Sequence, residues 1–186
     1  MARGSAFPAL LALAPLLAGC FYSEETLFAD AGDKIPTAAG PVSCLTYGSA
    51  TDASPGANQA TLVQHDAGGG HFTYTLVDAD PTPTPMVFFK VAGEASGEVF
   101  IGSAPEPQIG GDYFEVVRAT PTRLTSFVIA GPDVESLAAA KNVTLLKEDV
   151  GYSMKGAAAD QKAFLTAVAL APGTERWPHL DCTVKK

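Results

Sequence analysis

The sequence predicts an α+β fold, in which a mainly antiparallel sheet that is strongly twisted or barrel-like carries one or two helices in the C-terminal third. Three features indicate this class: short apolar segments alternate with polar residues, glycines and prolines separate these segments, and helical spacing is confined to the end of the chain. The 186 residues suffice for one hydrophobic core but not for two domains of ordinary size. We therefore expect a single globular domain at 42–186.

The clearest strand is 71–77, where Phe72, Tyr74 and Leu76 alternate strictly with histidine and threonine. This period of two is typical of an antiparallel strand with one buried face. Three glycines at 68–70 precede it and allow the positive φ angles of a hairpin turn. Further strands are expected at 42–47, 60–65, 86–92, 97–103, 112–119 and 123–130. The prolines within 81–85 cannot donate hydrogen bonds to a sheet, so we expect a loop there.

The C-terminal third adds two helices, a hairpin and a last strand. Apolar residues share one face over 134–141 and again over 158–170, which predicts a helix at each place. The segments 143–147 and 151–155 lie between them and have the composition of a second hairpin. A short strand at 179–185 then closes the domain.

The first twenty residues have the pattern of an exported protein. After Arg3, the stretch 6–18 is apolar apart from two prolines. Such a stretch is too short to span a bilayer, which takes roughly 20 residues, but it suits the apolar region of a secretion signal. The tetrapeptide LAGC at 17–20 follows and resembles the bacterial lipobox. This resemblance implies that residues 1–19 are a signal peptide that is removed, and that Cys20 receives a diacylglycerol whose fatty acids, such as palmitate, anchor the protein.

The same resemblance implies a location in the cell envelope. In bacterial lipoproteins, an aspartate after the lipidated cysteine resembles an inner-membrane retention signal, whereas here the residue is Phe21. We therefore expect an outer-membrane protein that faces the periplasm and has the lipid bilayer as a partner through acylated Cys20. Residues 20–41 contain acids and prolines without a sustained period, so we expect them to form a tether.

Two cysteines remain once Cys20 is assigned to lipid. In an oxidising periplasm, Cys44 and Cys182 most simply form a disulfide that joins the first strand of the domain to its last. The alternatives are two free thiols or a share of a metal site, although no CxxC motif or nearby pair of histidines supports zinc.

Charge and motifs exclude several functions. The chain has 12 lysines and arginines against 20 aspartates and glutamates, a net charge of −8, and the cations are not clustered. Binding to nucleic acid needs clustered cations, so we expect no nucleic-acid partner. The sequence contains no GxSxG, no HExxH, no glycine-rich phosphate loop and no CxxC. We therefore predict no catalytic residue, no cofactor and no enzymatic activity.

The residues best suited to bind a metal or transfer a proton lie around the glycine turn. His65, Asp66 and His71 could meet at the end of a hairpin, where two imidazoles and a carboxylate could bind a metal weakly or transfer a proton. The simpler interpretation is that they are polar residues at strand ends and in a turn. We favour the simpler interpretation and predict no metal site.

Aromatic residues recur along the predicted strands and allow two interpretations. They could line an apolar cavity if the sheet closes into a barrel, or they could simply fill the core. The residues are Phe72, Tyr74, Phe88, Phe89, Phe100, Tyr113, Phe114 and Phe127.

Three functional hypotheses follow from the sequence. The first is a membrane-anchored bacterial envelope lipoprotein, non-catalytic, with a structural role or a role in contacting another envelope protein. The second is a module that binds a small apolar molecule or lipid in an apolar pocket of the sheet. The third is a hydrolase with an unfamiliar site, which would need a cluster of titratable groups in a cleft. We favour them in that order.

Overall fold

Short strands and two helices make up the part of the chain that the structure describes. The structure is a computed structural model and describes residues 20–48, 52–77, 85–94, 96–107, 110–129, 132–148, 151–172 and 174–185. The strands are β1 (Phe21–Ser23), β2 (Gly40–Thr46), β3 (Gly56–Gly68), β4 (His71–Val77), β5 (Pro85–Glu94), β6 (Gly97–Glu106), β7 (Gly111–Thr120), β8 (Arg123–Ile129), β9 (Thr144–Lys147), β10 (Tyr152–Lys155) and β11 (Glu175–Val184). The helices are α1 (Pro132–Ala140) and α2 (Ala158–Leu170).

Eight of these strands close into an antiparallel barrel. Their order is β2, β3, β4, β5, β6, β7, β8 and β11, and β11 pairs again with β2. The neighbouring strands β6 and β7 pair from Glu98 opposite Ala119 to Glu106 opposite Gly111. The mainly antiparallel, barrel-like sheet that the sequence predicts is therefore confirmed. The α+β assignment overstates the helical part, because the two helices contain only 9 and 13 residues.

The barrel wall forks at one end of β7. The second half of this strand, from Val116, pairs with β8, whereas its first half pairs with β1 from Asp112 to Phe114. Strand β1 also pairs in parallel with β10, which forms the predicted hairpin with β9. The short strand β1 therefore enters the wall where β7 and β8 separate.

Two apolar cores lie on opposite sides of the wall. The inner core fills the barrel and includes Leu62, Phe88 and Phe100. The outer core lies between the barrel and the two helices and includes Phe114 and Phe164. Because neighbouring residues in a strand point to opposite faces, the strands that serve both cores are apolar on both faces.

Helix α2 covers the outer face of the barrel through one stripe of its surface. Its buried residues are Gln161, Phe164, Leu165, Val168 and Ala169, whose spacing of three and four places them on one side of a helix. Burying a phenylalanine or leucine side chain fully contributes about 1.5–3 kcal/mol, so this stripe stabilises the helix well beyond its own propensity. The predicted bounds of 158–170 are confirmed.

The expected tether at 20–41 is wrong, because this segment is packed into the fold. Phe21, Leu27 and Ile35 are each only 1 % exposed. The Ile35 N–H donates to the hydroxyl of Tyr74 at 2.9 Å, and the Thr37 hydroxyl donates to the Thr120 carbonyl oxygen at 2.8 Å. These three buried residues are six and eight positions apart in sequence, so they show no helical or strand period from which their burial could be predicted.

The C-terminal elements follow the prediction with small shifts at their ends. Helix α1 begins at Pro132 and ends at Ala140, and Asn142 has the positive φ of 57° common just after a helix. Strand β11 begins at Glu175, four residues before the predicted start, because bulges before and after Pro178 let a proline lie within it. The predicted signal peptide at 1–19 and most of the proline-rich loop, residues 81–84, lie outside the described residues.

Candidate functional site at the barrel mouth

The histidines and the aspartate around the glycine turn lie at the exposed tip of the β3–β4 hairpin. His65 Nε2 is 3.1 Å from the Thr75 hydroxyl oxygen, and Asp66 accepts the Gly68 N–H at 2.7 Å. Asp66 therefore shapes the turn, and His71 is exposed beside it. Within the described ranges, no three histidine, cysteine, aspartate or glutamate side chains are grouped so that they could hold a metal ion.

The aromatic residues are divided between the two sides of the barrel wall. Inside, the ring of Phe88 contacts the rings of Tyr74 and Phe100, with centroids 5.2 and 6.4 Å apart. Outside, Phe89 stacks on Phe28 at 4.3 Å. Phe88 and Phe89 are consecutive in β5, so they must point to opposite faces. The aromatic residues therefore do not line one common cavity.

The predicted disulfide between Cys44 and Cys182 is confirmed. The two residues lie directly opposite each other in β2 and β11, and their Cα atoms are 4.0 Å apart. Both belong to the inner core. The bond therefore fastens the closing strand pair of the barrel.

A group of titratable side chains lies at one end of the barrel interior. Val117 of β7 belongs to the inner core, and alternation along the strand turns Tyr113 and Glu115 to the same side. His179 of β11 reaches Glu115, with 3.9 Å between Nδ1 and Oε2. We call this end the barrel mouth and define it by Cys20, Tyr22, Glu106, Tyr113, Glu115 and His179.

Strand β1 brings two residues to the barrel mouth. Tyr22 lies opposite Tyr113 in the β1–β7 pairing, and Cys20 directly precedes this strand. In addition to burial, the charge of Glu115 raises the pKa of the Cys20 thiol, and Cys20 contributes to the raised pKa of Tyr113. Cys20 therefore lies beside the side chains of the barrel interior, although it precedes the fold in sequence.

Burial keeps the two tyrosine hydroxyls and the cysteine thiol of the barrel mouth neutral. Burial, and then the charge of Glu115, raises the pKa of Cys20 to about 12. Burial, followed by the charges of Cys20 and Glu106, raises the pKa of Tyr22 to about 12. Burial also raises the pKa of Tyr113 well above its ordinary value, and Glu115 adds to this rise. A nucleophilic cysteine needs a lowered pKa, so the mouth contains no activated thiol.

His179 behaves in the opposite way, because its partner is a carboxylate. Pairing with Glu115 raises the pKa of His179, whereas burial lowers it by a smaller amount. At 3.9 Å the contact is an ion pair rather than a hydrogen bond. The mouth thus joins one pH-sensitive pair to three groups that remain neutral near pH 7.

Two buried polar atoms add to the lining of the same end. The hydroxyl oxygen of Ser126 and the indole nitrogen of Trp177 have no hydrogen-bond partner among the described residues. Ser126 lies in β8 opposite Val117, and Trp177 lies in β11 opposite Val128. The interior of the barrel is therefore apolar in its body and polar towards the mouth.

The backbone of Cys20 is held on several sides. Its carbonyl oxygen accepts the Tyr152 N–H at 2.9 Å, and a Cβ atom at Gly151 would overlap that oxygen. The ring of Phe21 contacts the rings of Phe164 and Tyr152, with centroids 5.1 and 6.2 Å apart. The strands β7 and β10 and the helix α2 therefore fix the position of Cys20.

A second polar cluster lies on the outside of the barrel and has a structural role. Arg123 donates to both carboxylate oxygens of Asp181 at 2.7 and 2.5 Å, and Thr125 donates to one of them at 3.1 Å. The hydrogen bonds from Arg123 lower the pKa of Asp181, although burial opposes them. The cluster joins β8 to β11 beside an open cleft of about 300 Å³ that Arg118 and Phe127 also line.

Sequence reasoning missed most of the barrel mouth. The sequence pattern does not single out His179, Glu115 or Tyr22 as functional residues. One local signal was present. Glu115 lies on the same face of β7 as Val117 and Ala119, so a carboxylate occurs among residues that point into the barrel. Its partner could not be found locally, because His179 comes from a strand 64 positions later.

The fold and the site together define a closed eight-stranded antiparallel barrel with a titratable mouth. No protein-family model matches the sequence, and comparison with curated proteins and with solved structures gives no match either. Neither helix in the described ranges is long and apolar enough to cross a membrane.

Proposed function

We propose that this protein is a bacterial envelope lipoprotein, anchored to the outer membrane through acylated Cys20 and facing the periplasm. The observation that carries the proposal is the tetrapeptide LAGC at 17–20, preceded by the apolar stretch 6–18. The fold is compatible with cleavage before Cys20, because β1 begins only at Phe21. The disulfide also suits an oxidising compartment.

The proposed role is non-catalytic, either structural or in contact with another envelope protein. Support comes from the chemistry of the barrel mouth, where burial raises the pKa values of Tyr22 and Tyr113 and keeps both phenols neutral. Glu115 and His179 are close together, but no activated nucleophile accompanies them. A binding pocket for a small apolar ligand has less support, because Tyr74, Phe88 and Phe100 pack against one another within the barrel.

The test is to compare the parent protein with Cys20→Ser in a Gram-negative host. Serine has nearly the size of cysteine but offers no sulfur for a thioether, so the polypeptide of the barrel mouth changes little and the lipid is the main difference. We expect the parent to begin at Cys20, to carry the mass of a diacylglycerol, and to remain with membranes after high-salt and carbonate washes. The Cys20→Ser protein should be found in the soluble or precursor fraction.

The matched control is the double variant Cys44→Ser/Cys182→Ser, which also loses cysteines but keeps the lipobox. It should remain acylated and bound to membranes. The proposal fails if Cys20→Ser still withstands both washes, or if intact-mass analysis of the parent finds no lipid.

A further inference from the structure

We infer that the anchored protein lies with its barrel mouth against the phospholipid surface, without a flexible linker, and that the β3–β4 hairpin points away from the membrane. This inference rests on the proposed acylation of Cys20. It concerns the arrangement of the whole domain on the bilayer, which the lipobox alone does not determine.

The first argument is that no flexible linker separates Cys20 from the folded residues that follow it. Residues 20–41 were expected to be a tether, yet Phe21 is 1 % exposed and pairs with Phe114 of the barrel wall. The carbonyl oxygen of Cys20 accepts a hydrogen bond from Tyr152. A lipid on Cys20 would therefore be attached to a fixed point of the domain.

The second argument is the shortest route from Cys20 to the edge of the barrel. Since Phe21 lies opposite Phe114, Cys20 lies at the level of Glu115 on β7. Four residues separate this level from Gly111 at the mouth end of β7, or about 13 Å at roughly 3.3 Å per residue, against five residues to Thr120 at the other end. The other end is farther away, and Thr37 covers it through hydrogen bonds to Thr120 and Arg123.

The third argument is the depth that acyl chains must reach. The hydrocarbon core of a bilayer is about 30 Å thick, so each leaflet takes up about 15 Å of chain. Each methylene buried in hydrocarbon contributes about 0.8 kcal/mol, and a methylene that remained among the polar side chains of the mouth would not gain this in full. Full insertion therefore brings the barrel mouth to the headgroups.

The charges of the mouth rim indicate which lipids suit this arrangement. Glu24, Glu25, Glu106 and Asp112 lie at this end, and Lys155 pairs with Glu24 at 2.8 Å. An acidic rim is repelled by anionic lipid but not by zwitterionic headgroups. The occupant of this surface is therefore a zwitterionic phospholipid bilayer, held there by the acyl chains and not by charge.

The hairpin tip gives a reference point at the far end. Strand β3 starts at Gly56, opposite Thr46 near the mouth, and runs away from it to Gly68. Ala67 is exposed at the tip, whereas Thr26 is exposed near the mouth rim. Labels at these two positions therefore report on opposite ends of the barrel.

The experiment uses the acylated protein in vesicles of phosphatidylcholine that contain a small share of lipid with a quencher on its headgroup. Thr26→Cys and Ala67→Cys are labelled separately with one fluorophore, since the other three cysteines are acylated or in the disulfide. We expect severalfold stronger quenching at position 26 than at position 67. The same labels on the Cys20→Ser protein should show no quenching at either position.

A linker variant supplies the matched control. Ten glycine and serine residues inserted between Cys20 and Phe21 would keep the anchor but allow a mean separation of about 17 Å. Quenching at position 26 should then fall towards that at position 67. Equal quenching at both positions, or no effect of the linker, overturns the inference while leaving acylation intact. A parent protein without lipid by mass spectrometry overturns the proposed function and the inference together.

Discussion

Glu115 and His179 make the stability of the barrel mouth sensitive to pH. Their contact raises the pKa of His179 above its value of about 6.5 in an unfolded chain. The stabilisation is therefore complete below about pH 6.5 and is lost as the pH rises through the raised pKa of the folded state. The neighbouring groups Tyr22 and Tyr113 stay neutral throughout this range.

We expect His179→Gln to lower the free energy of unfolding more at about pH 6 than at about pH 9. The difference should be about 0.2–1 kcal/mol, because the histidine side chain is 46 % exposed and water screens the pair. Urea unfolding of the Cys20→Ser protein measures it, and a double-mutant cycle with Glu115→Gln isolates the pair. The same loss at both pH values would show that charge is not the cause.

The hairpin histidines should contribute little to stability. Both are exposed, and the contact of His65 with Thr75 lies on the surface. We expect His65→Ala/His71→Ala to change the free energy of unfolding by less than about 0.5 kcal/mol, as surface substitutions usually do. Thermal melting with zinc and with copper checks the metal hypothesis. A metal-dependent rise in the parent's Tm that the double variant lacks would support a metal site at these histidines.

At the scale of single elements, strand β1 depends on two glycines that let neighbouring backbones come close. A Cβ at Gly111 would overlap the Ser23 carbonyl oxygen, and one at Gly151 would overlap that of Cys20. Together these contacts hold the three-residue strand between β7 and β10. The strand is too short to hold its place by its own pairing.

The pair Gly151 and Gly68 allows this close approach to be tested. Both have φ of 87°, but the space beside Gly68 is open. Alanine at either position should cost about 1–2 kcal/mol for the left-handed backbone. We expect Gly151→Ala to cost about 1–3 kcal/mol more than Gly68→Ala, because it also forces Cys20 aside. Urea unfolding measures both, and equal losses would mean that β1 shifts without cost.

The elements that the sequence predicted best are those whose pattern is local. The strand at 71–77 and the helix at 158–170 have the predicted bounds, because a period of two or of three and four records which face is buried. The prediction of a tether at 20–41 is wrong because the signal there is not local. Its buried residues Leu27 and Ile35 are held by distant partners, so their burial leaves no periodic signal.

At the scale of the whole molecule, the sequence predicted a twisted or barrel-like sheet but left open whether it closes and what its end contains. Pairing of Cys44 with Cys182 was predicted from the expected compartment and the count of cysteines, and it is confirmed. The barrel mouth required the register of β1, β7 and β11 together. No local pattern indicates that Cys20 and His179 lie at the same end of the barrel.

The disulfide should stabilise the whole barrel, because it joins residues 138 positions apart. The chain-entropy relation gives about 4–5 kcal/mol for a loop of this length. In a domain of this size we expect reduction to lower the Tm by about 10–20 °C. Cys44→Ser, Cys182→Ser and the double variant should show similar losses in thermal melting. A Tm that reduction leaves unchanged would contradict the expected stabilisation.

If the protein is exported as proposed, the closure of β2 on β11 has a consequence for the order of events during export. A chain that crosses a membrane from its N-terminus presents Cys44 long before Cys182, which lies 138 positions later in the sequence. Throughout that interval the nearest other thiol is that of Cys20. Acylation of Cys20 before the last strand arrives would remove this thiol from exchange, so that Cys182 would be the only other cysteine of the sequence left to pair with Cys44.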